Sequence, residues 1–146
     1  MSHTSLVPGS TSGTAVPSGY IGEKISGTIQ TSGAMSSTFI YDMASIALTP
    51  GRWQLFGRAV VSTSGTPGAN SYSDISIATT TGAIDGATLV RAAMVSVSGA
   101  DVYIAAHPLI VDTSVAVSYY LTMRLTFTTS THSRNGATSF YAVRIA

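Results

Sequence analysis

Three histidines and six carboxylates are the side chains from which this chain could build a catalytic or metal centre. His3, His107 and His132 stand far apart, and none has carboxylates at a ligand spacing such as His-Glu-x-x-His, so no metal site is expected. His107 precedes Pro108 in an apolar stretch and is expected as a satisfied, partly buried imidazole; His132 reads as a chance loop residue. Glycoside hydrolysis needs two carboxyls a few ångströms apart. Of the candidates, Asp85 in Ile84-Asp85-Gly86 and Asp101 in Gly99-Ala100-Asp101 read as turn formers, Asp112 ends a strand, and only Asp74 is expected to face outward from one. No Asp-x-Asp-x-Asp calcium run, Gly-x-Ser-x-Gly elbow or Gly-x-x-x-x-Gly-Lys phosphate loop occurs, and Lys24 is the only lysine. No catalytic residue, metal ligand or cofactor is therefore expected.

Aromatic rings stack on sugars or bases as readily as they fill cores. Trp53 begins an apolar set with Leu55, Ala59 and Val61 and is expected in the core. Tyr72, Tyr103 and Tyr120 fall near strand ends or opposite the core set, which suits either a subunit contact or a ligand platform.

The elements that must hold these groups are strands. From Tyr20 onward, turn residues recur at short intervals between segments rich in Val, Ile, Tyr, Phe and Thr. In 115–127, Val115, Val117, Tyr119, Leu121, Met123, Leu125 and Phe127 alternate with smaller or polar residues, a period of two that predicts a long central strand. Other strands are expected at 20–28, 40–48, 52–62, 72–79, 88–98, 102–111 and 138–145, about eight in all, the number in a jelly roll. The predicted fold is an all-β, two-sheet antiparallel sandwich over 20–146, preceded by an extended arm over 1–19. Thr49-Pro50-Gly51 turns one strand into the next, and Asn135-Gly136 predicts a tight hairpin into the last. Loops 63–71 and 80–87 are expected at the ends of the sandwich. The last strand is apolar on both sides, so Phe140, Tyr141 and Val143, with Tyr120 opposite the core set of the long strand, are candidates for contact with another copy.

Composition narrows the partners. Of the 146 residues 45% are hydrophobic and only 9% charged, against about a quarter in ordinary soluble domains. A formal charge of +1 is too small to gather nucleic acid or an anionic membrane, and it offers little repulsion against self-association. Cysteine is absent, no stretch is long and apolar enough to span a bilayer, and no signal peptide is recognisable at the start. The arm is rich in Ser, Thr, Gly and Pro, with apolar spots only at Leu6-Val7-Pro8 and Ala15-Val16-Pro17. Such a segment takes a fixed course when it lies against another chain, so Leu6, Val7, Pro8, Val16 and Pro17 are expected to anchor the protein on a larger assembly.

Ile46-Ala47-Leu48-Thr49-Pro50-Gly51-Arg52-Trp53-Gln54-Leu55-Phe56-Gly57, the closing Ser139-Phe140-Tyr141-Ala142-Val143-Arg144-Ile145 and Gly19-Tyr20-Ile21-Gly22-Glu23 carry a resemblance. They resemble small bacteriophage virion domains of tail-fibre tips and surface knobs, over most of 19–146. The turn followed by Gly-x-aromatic-x-apolar is also similar to the third strand of the tumour necrosis factor-like jelly roll, a fold that forms compact trimers. The resemblance implies a homotrimer on the virion surface, made in the host cytoplasm, with an exposed loop end and an anchored end. Unlike a usual fibre tip, this sequence has no shaft, heptad run or collagen-like repeat before Tyr20, which implies direct attachment to a capsid or tail protein through the arm. The function expected is therefore a non-enzymatic structural knob. The alternative is a tail-fibre adhesin that binds a host receptor or surface glycan through Tyr72 or Tyr103 and the loops 63–71 and 80–87. A depolymerase would rest on scattered carboxylates, with Asp74 its best candidate.

Overall fold

The alternation through 115–127 forms a strand of ten residues, Val117–Thr126, with its odd side chains inward, at the centre of a five-stranded sheet. The computed structural model describes residues 18–66, 68, 71–94 and 99–146. Their elements, in chain order, are β1 (Lys24–Ser26), β2 (Thr28–Ile29), β3 (Ala34–Met35), β4 (Ile40–Leu48), β5 (Gly51–Ser64) and β6 (Tyr72–Ala78). There follow β7 (Val90–Ala93), β8 (Asp101–Ala105), β9 (Leu109–Thr113), β10 (Val117–Thr126), β11 (Thr131–Arg134) and β12 (Ser139–Arg144). The narrow sheet runs β2-β4-β10-β6-β7, and the wide sheet runs β1-β12-β5-β11-β3 with β8 and β9 on the other edge of β5. All pairings are antiparallel, and the chain passes repeatedly from one sheet to the other, as in a jelly roll.

The wide sheet is organised on β5, whose fourteen residues span the molecule while shorter strands share each of its edges. On one side the expected strand 102–111 is broken into β8 and β9, because residues 106–108 lie opposite only 56–57. Pro108 has no N–H for the ladder, and Ala106 N–H donates to the Gly57 carbonyl at 2.9 Å across the bulge. On the other side, residues 135–138 lie opposite 59–60 between β11 and β12. Asn135-Gly136 therefore makes no hairpin: β11 and β12 continue in one direction along β5. The physical reason is local side-chain bonding. Asn135 Oδ1 accepts from Ala137 N–H at 2.8 Å, and Thr138 Oγ1 accepts from Val60 N–H at 3.0 Å, replacing the missing ladder partner.

Inward residues of both sheets close the core. Trp53, Leu55, Met43, Ile75, Ile77, Leu121, Met123 and Leu125 are fully buried, as expected for Trp53. Gly57 lets the sheets meet: a Cβ there would stand 2.5 Å from Leu121 Cδ1. At one end, Thr49-Pro50-Gly51 makes the expected turn, with Gly51 at φ 147°. A buried Arg144 beneath it donates to Glu23 Oε2 (2.9 Å), the Pro50 carbonyl (2.8 Å) and Thr49 Oγ1 (2.7 Å), and lies 4.3 Å over the Trp53 ring. Desolvation pushes the Glu23 carboxyl pKa upward, but hydrogen bonds from Gly19, Arg144 and Ser18 outweigh it and hold the group below its ordinary value. Gly22 N–H bonds the Arg144 carbonyl at 2.8 Å and Arg52 N–H the Ala146 carbonyl at 2.9 Å, so the start of the described chain and the C-terminus share this end.

Candidate functional site

The register places two unlike surfaces on the two outer faces. On the wide sheet, Phe56 and Arg58 of β5 pair with Tyr141 and Ser139 of β12, Arg58 also pairs with Ala105 of β8, and all point away from the core. Tyr141 stacks on Phe56 with ring centroids 5.1 Å apart and an 18° tilt, and Lys24 of β1 sets its ammonium 4.5 Å from the Tyr141 ring. Ile110 (52% exposed) and Tyr103 (57% exposed) lie on the same face, with the Arg58 guanidinium 5.5 Å from the Tyr103 ring. Because the strand line breaks at Pro108, a groove of about 460 Å³ opens between Phe56, Arg58 and Tyr141 on one side and Ala105, Ala106 and Pro108 on the other. Among the described residues no further layer lies over these rings.

The outer face of the narrow sheet is polar and largely covered by the chain itself. Asp42, Thr122 and Ser76 form one crosswise row on β4, β10 and β6. The segment 79–88 folds over it: Thr81 Oγ1 and Gly82 N–H donate to the Asp42 carboxylate, and Asp85 N–H donates to Ser76 Oγ at 3.1 Å. Ser76 and Thr122 share a hydrogen bond of 2.8 Å and are both fully buried. The next row is Arg124, Asp74 and Arg91 on β10, β6 and β7. Asp74 faces outward from its strand, as expected, but it is 0% exposed because both arginines close over it. The Arg91 hydrogen bonds, opposed by desolvation and reinforced by Arg124, hold the Asp74 carboxyl below its ordinary value.

The other expected residues are placed as follows. Val143 and Tyr141 lie on the outer face of the wide sheet, and Tyr120 on that of the narrow sheet. Phe140, expected at a subunit contact, points inward and is 2% exposed; as the residue opposite Gly57 it fills the core. Tyr72 lies on the narrow sheet with the Arg91 guanidinium 4.2 Å from its ring, so a charged group already occupies one of its faces. Leu6, Val7, Pro8, Val16 and Pro17 lie outside the described residues. The described residues of 63–71 stand at the end opposite the C-terminus, with 67, 69 and 70 outside the described residues, whereas 80–87 lies over a sheet face rather than at an end. Asp85 caps its own turn through Ala87 N–H at 2.8 Å, Asp101 accepts from Ser62 and Asn135, and Asp112 faces Arg52 at 3.6 Å.

The histidines reverse their expected places. His107 is exposed. His132, expected in a loop, is buried on β11, with Thr63 Oγ1 3.1 Å from Nδ1, Ser130 Oγ 2.6 Å from Nε2 and the Phe127 ring 4.4 Å from its own. Burial lowers its pKa and keeps it neutral. Hydroxyls occupy both nitrogens, and the chain of bonds ties β11 to β5. Among the described residues no three His, Asp or Glu side chains gather at ligand distance.

Phe56, Arg58, Arg91 and Arg124 were not singled out from sequence. Phe56 follows Leu55 directly, so the same alternation that marks Trp53 and Leu55 as core marks it as outward. Arg91 and Arg124 carry no local signal, since what joins them is Asp74, 17 and 50 residues away along the chain. No protein-family model and no curated protein sequence matches the chain, so its function is argued from these two faces.

Proposed function

We propose that this chain is a non-enzymatic structural protein of a bacteriophage particle, a homotrimeric jelly-roll knob held to the capsid or tail by its N-terminal arm. The observation that carries the reading is the outer face of the wide sheet, where the Phe56–Tyr141 stack, Tyr103, Ile110 and Val143 have no covering layer among the described residues. Burying such a face against copies of itself removes apolar area from water at roughly 25 cal/mol per Å². The charges on it suit self-pairing, because Lys24 and Arg58 lie on the same face as Asp101 and Asp112. The described chain begins at the end that holds the C-terminus, opposite 36–39 and the far end of β5, which supports an anchored end and an outward loop end. The phage assignment rests on the resemblance of 19–23, 46–57 and 139–145, and places the protein on the virion surface.

Sedimentation equilibrium of the full chain tests the assembly: a trimer is expected, converted to monomer by Tyr141→Arg, and a monomer at about 100 µM, a concentration that fills any site of micromolar affinity, would overturn it. Particles built with a chain lacking residues 1–17 are expected to lose the knob; unchanged occupancy refutes the anchoring arm.

A second reading, an adhesin for host-surface glycan, is favoured by Tyr103, whose ring is 57% exposed beside Arg58. A glycan array probed with the assembled protein separates the two, because a ring buried between copies gives no response that depends on Tyr103.

A further inference from the structure

The arginine row on the narrow sheet has a geometry that its role as a cover for Asp74 does not exhaust. Arg91 donates to Asp74 through Nε (2.6 Å) and Nη2 (2.9 Å), and Arg124 through Nε (3.1 Å) and Nη2 (2.5 Å). Each guanidinium is planar and spends one edge on the carboxylate, so both Nη1 groups point away from it. Among the described residues neither Nη1 has a partner. The anion is fully buried while the Arg91 and Arg124 side chains are 54% and 30% exposed, so the surface that solvent meets is cationic. Two of the chain's seven basic residues are thereby held side by side, already ordered, on an otherwise hydroxyl-rich surface.

We propose that Arg91 and Arg124 form a binding site for a singly charged carboxylate of the kind carried by acidic sugars. Two arginines over one aspartate leave a net charge of +1, which one carboxylate neutralises and a phosphate dianion exceeds. The ordering cost of the two long side chains is met in the free protein by Asp74, which is what makes a small ligand bindable at an open surface. Hydroxyls flank the row. Thr126, the next outward residue on β10, pairs with Tyr72 and carries a further hydroxyl beside the row. The site lies on the opposite face from the proposed subunit contact, so either proposal stands or falls alone.

The test is an NMR titration of the ¹⁵N-labelled full chain with glucuronate, N-acetylneuraminate, glucose, inorganic phosphate and a short poly-glutamate peptide, following the arginine Nε–H signals. Both acidic sugars are expected to shift Arg91 and Arg124 with dissociation constants of about 1–10 mM, and glucose to shift neither. Arg91→Gln and Arg124→Lys are each expected to weaken the response at least about tenfold while the amide spectrum keeps its dispersion. Absence of any shift at about 50 mM acidic sugar overturns the site. A response to phosphate as strong as to glucuronate overturns the carboxylate class, and tighter binding of the peptide overturns the sugar in favour of an acidic protein segment.

Discussion

On the wide sheet the outward residues of β5, β12 and β9 leave Phe56, Tyr141 and Ile110 facing away from the core, whereas on the narrow sheet those of β6 and β10 carry Asp74, Ser76, Thr122 and Arg124 and are roofed by 79–88 and Arg91. One period-two pattern thus produces two surfaces of opposite economy. A polar face can be completed by its own chain, because each hydroxyl or carboxylate finds a donor at hydrogen-bond distance. An apolar face is completed only by area, and among the described residues no further layer lies over the Phe56–Tyr141 stack. The narrow sheet's outer face therefore contributes to the stability of the domain, and the wide sheet's outer face is the one proposed above for contacts with other copies.

Substitutions on the two faces should separate along that line. Asp74→Ala should be the most damaging, because it leaves two guanidiniums facing each other; we expect a loss of about 3 kcal/mol, less than a wholly buried pair would give since both arginines reach solvent. Urea unfolding reads it, and a loss below about 1 kcal/mol would break the claim that this face is self-contained. Tyr141→Ala should act the other way, weakening association by about 2 kcal/mol, or some thirtyfold, while the unfolding of the separated subunit changes by less than about 1 kcal/mol. Sedimentation and unfolding measured on the same variant sharpen the contrast. Ser76→Ala removes the partner of Thr122 Oγ1 and of Asp85 N–H and should cost about 1–1.5 kcal/mol. Its counterpart on the wide sheet, Ser139→Ala, should stay within about 0.5 kcal/mol.

The smallest expected effect is on the pH profile. Burial holds His132 below its ordinary 6.5, so the unfolded chain takes up a proton that the folded chain resists, and stability declines as pH falls below that value. Asp74 and Glu23 are held below their ordinary values, so their contribution persists through this window and is lost only as pH falls through those lowered values. Melting temperature measured between about pH 7 and 5 should therefore fall gently in the parent and be flatter in His132→Gln. An equal slope in both would remove His132 as the source.

Much of the fold was legible along the chain. The strict alternation of 115–127 located the central strand, Trp53-x-Leu55 located the inward register of β5, and Pro50-Gly51 located its turn, because each depends on neighbours within a few residues. Asn135-Gly136 misled for the same reason. The pair permits a hairpin but does not compel one, and the long β5 beside it offered 131–134 and 139–144 a continuous edge to pair with.

By itself the sequence determined the inward side of β5 and β10, where apolar and other residues alternate, since side-chain direction in a strand follows from parity; in β12, apolar on both sides, it left Phe140 and Tyr141 undivided. Only the tertiary structure decided what lies over that side. It brought Arg91 and Arg124 to Asp74, Thr63 and Ser130 to His132, and Gly57 against Leu121, while leaving Phe56 and Tyr141 half-buried on the outer face, stacked on each other. Apart from Ser130 beside His132, such pairings join residues 17 or more positions apart, and they depend on register and on the course of the loops, neither of which hydrophobic period encodes.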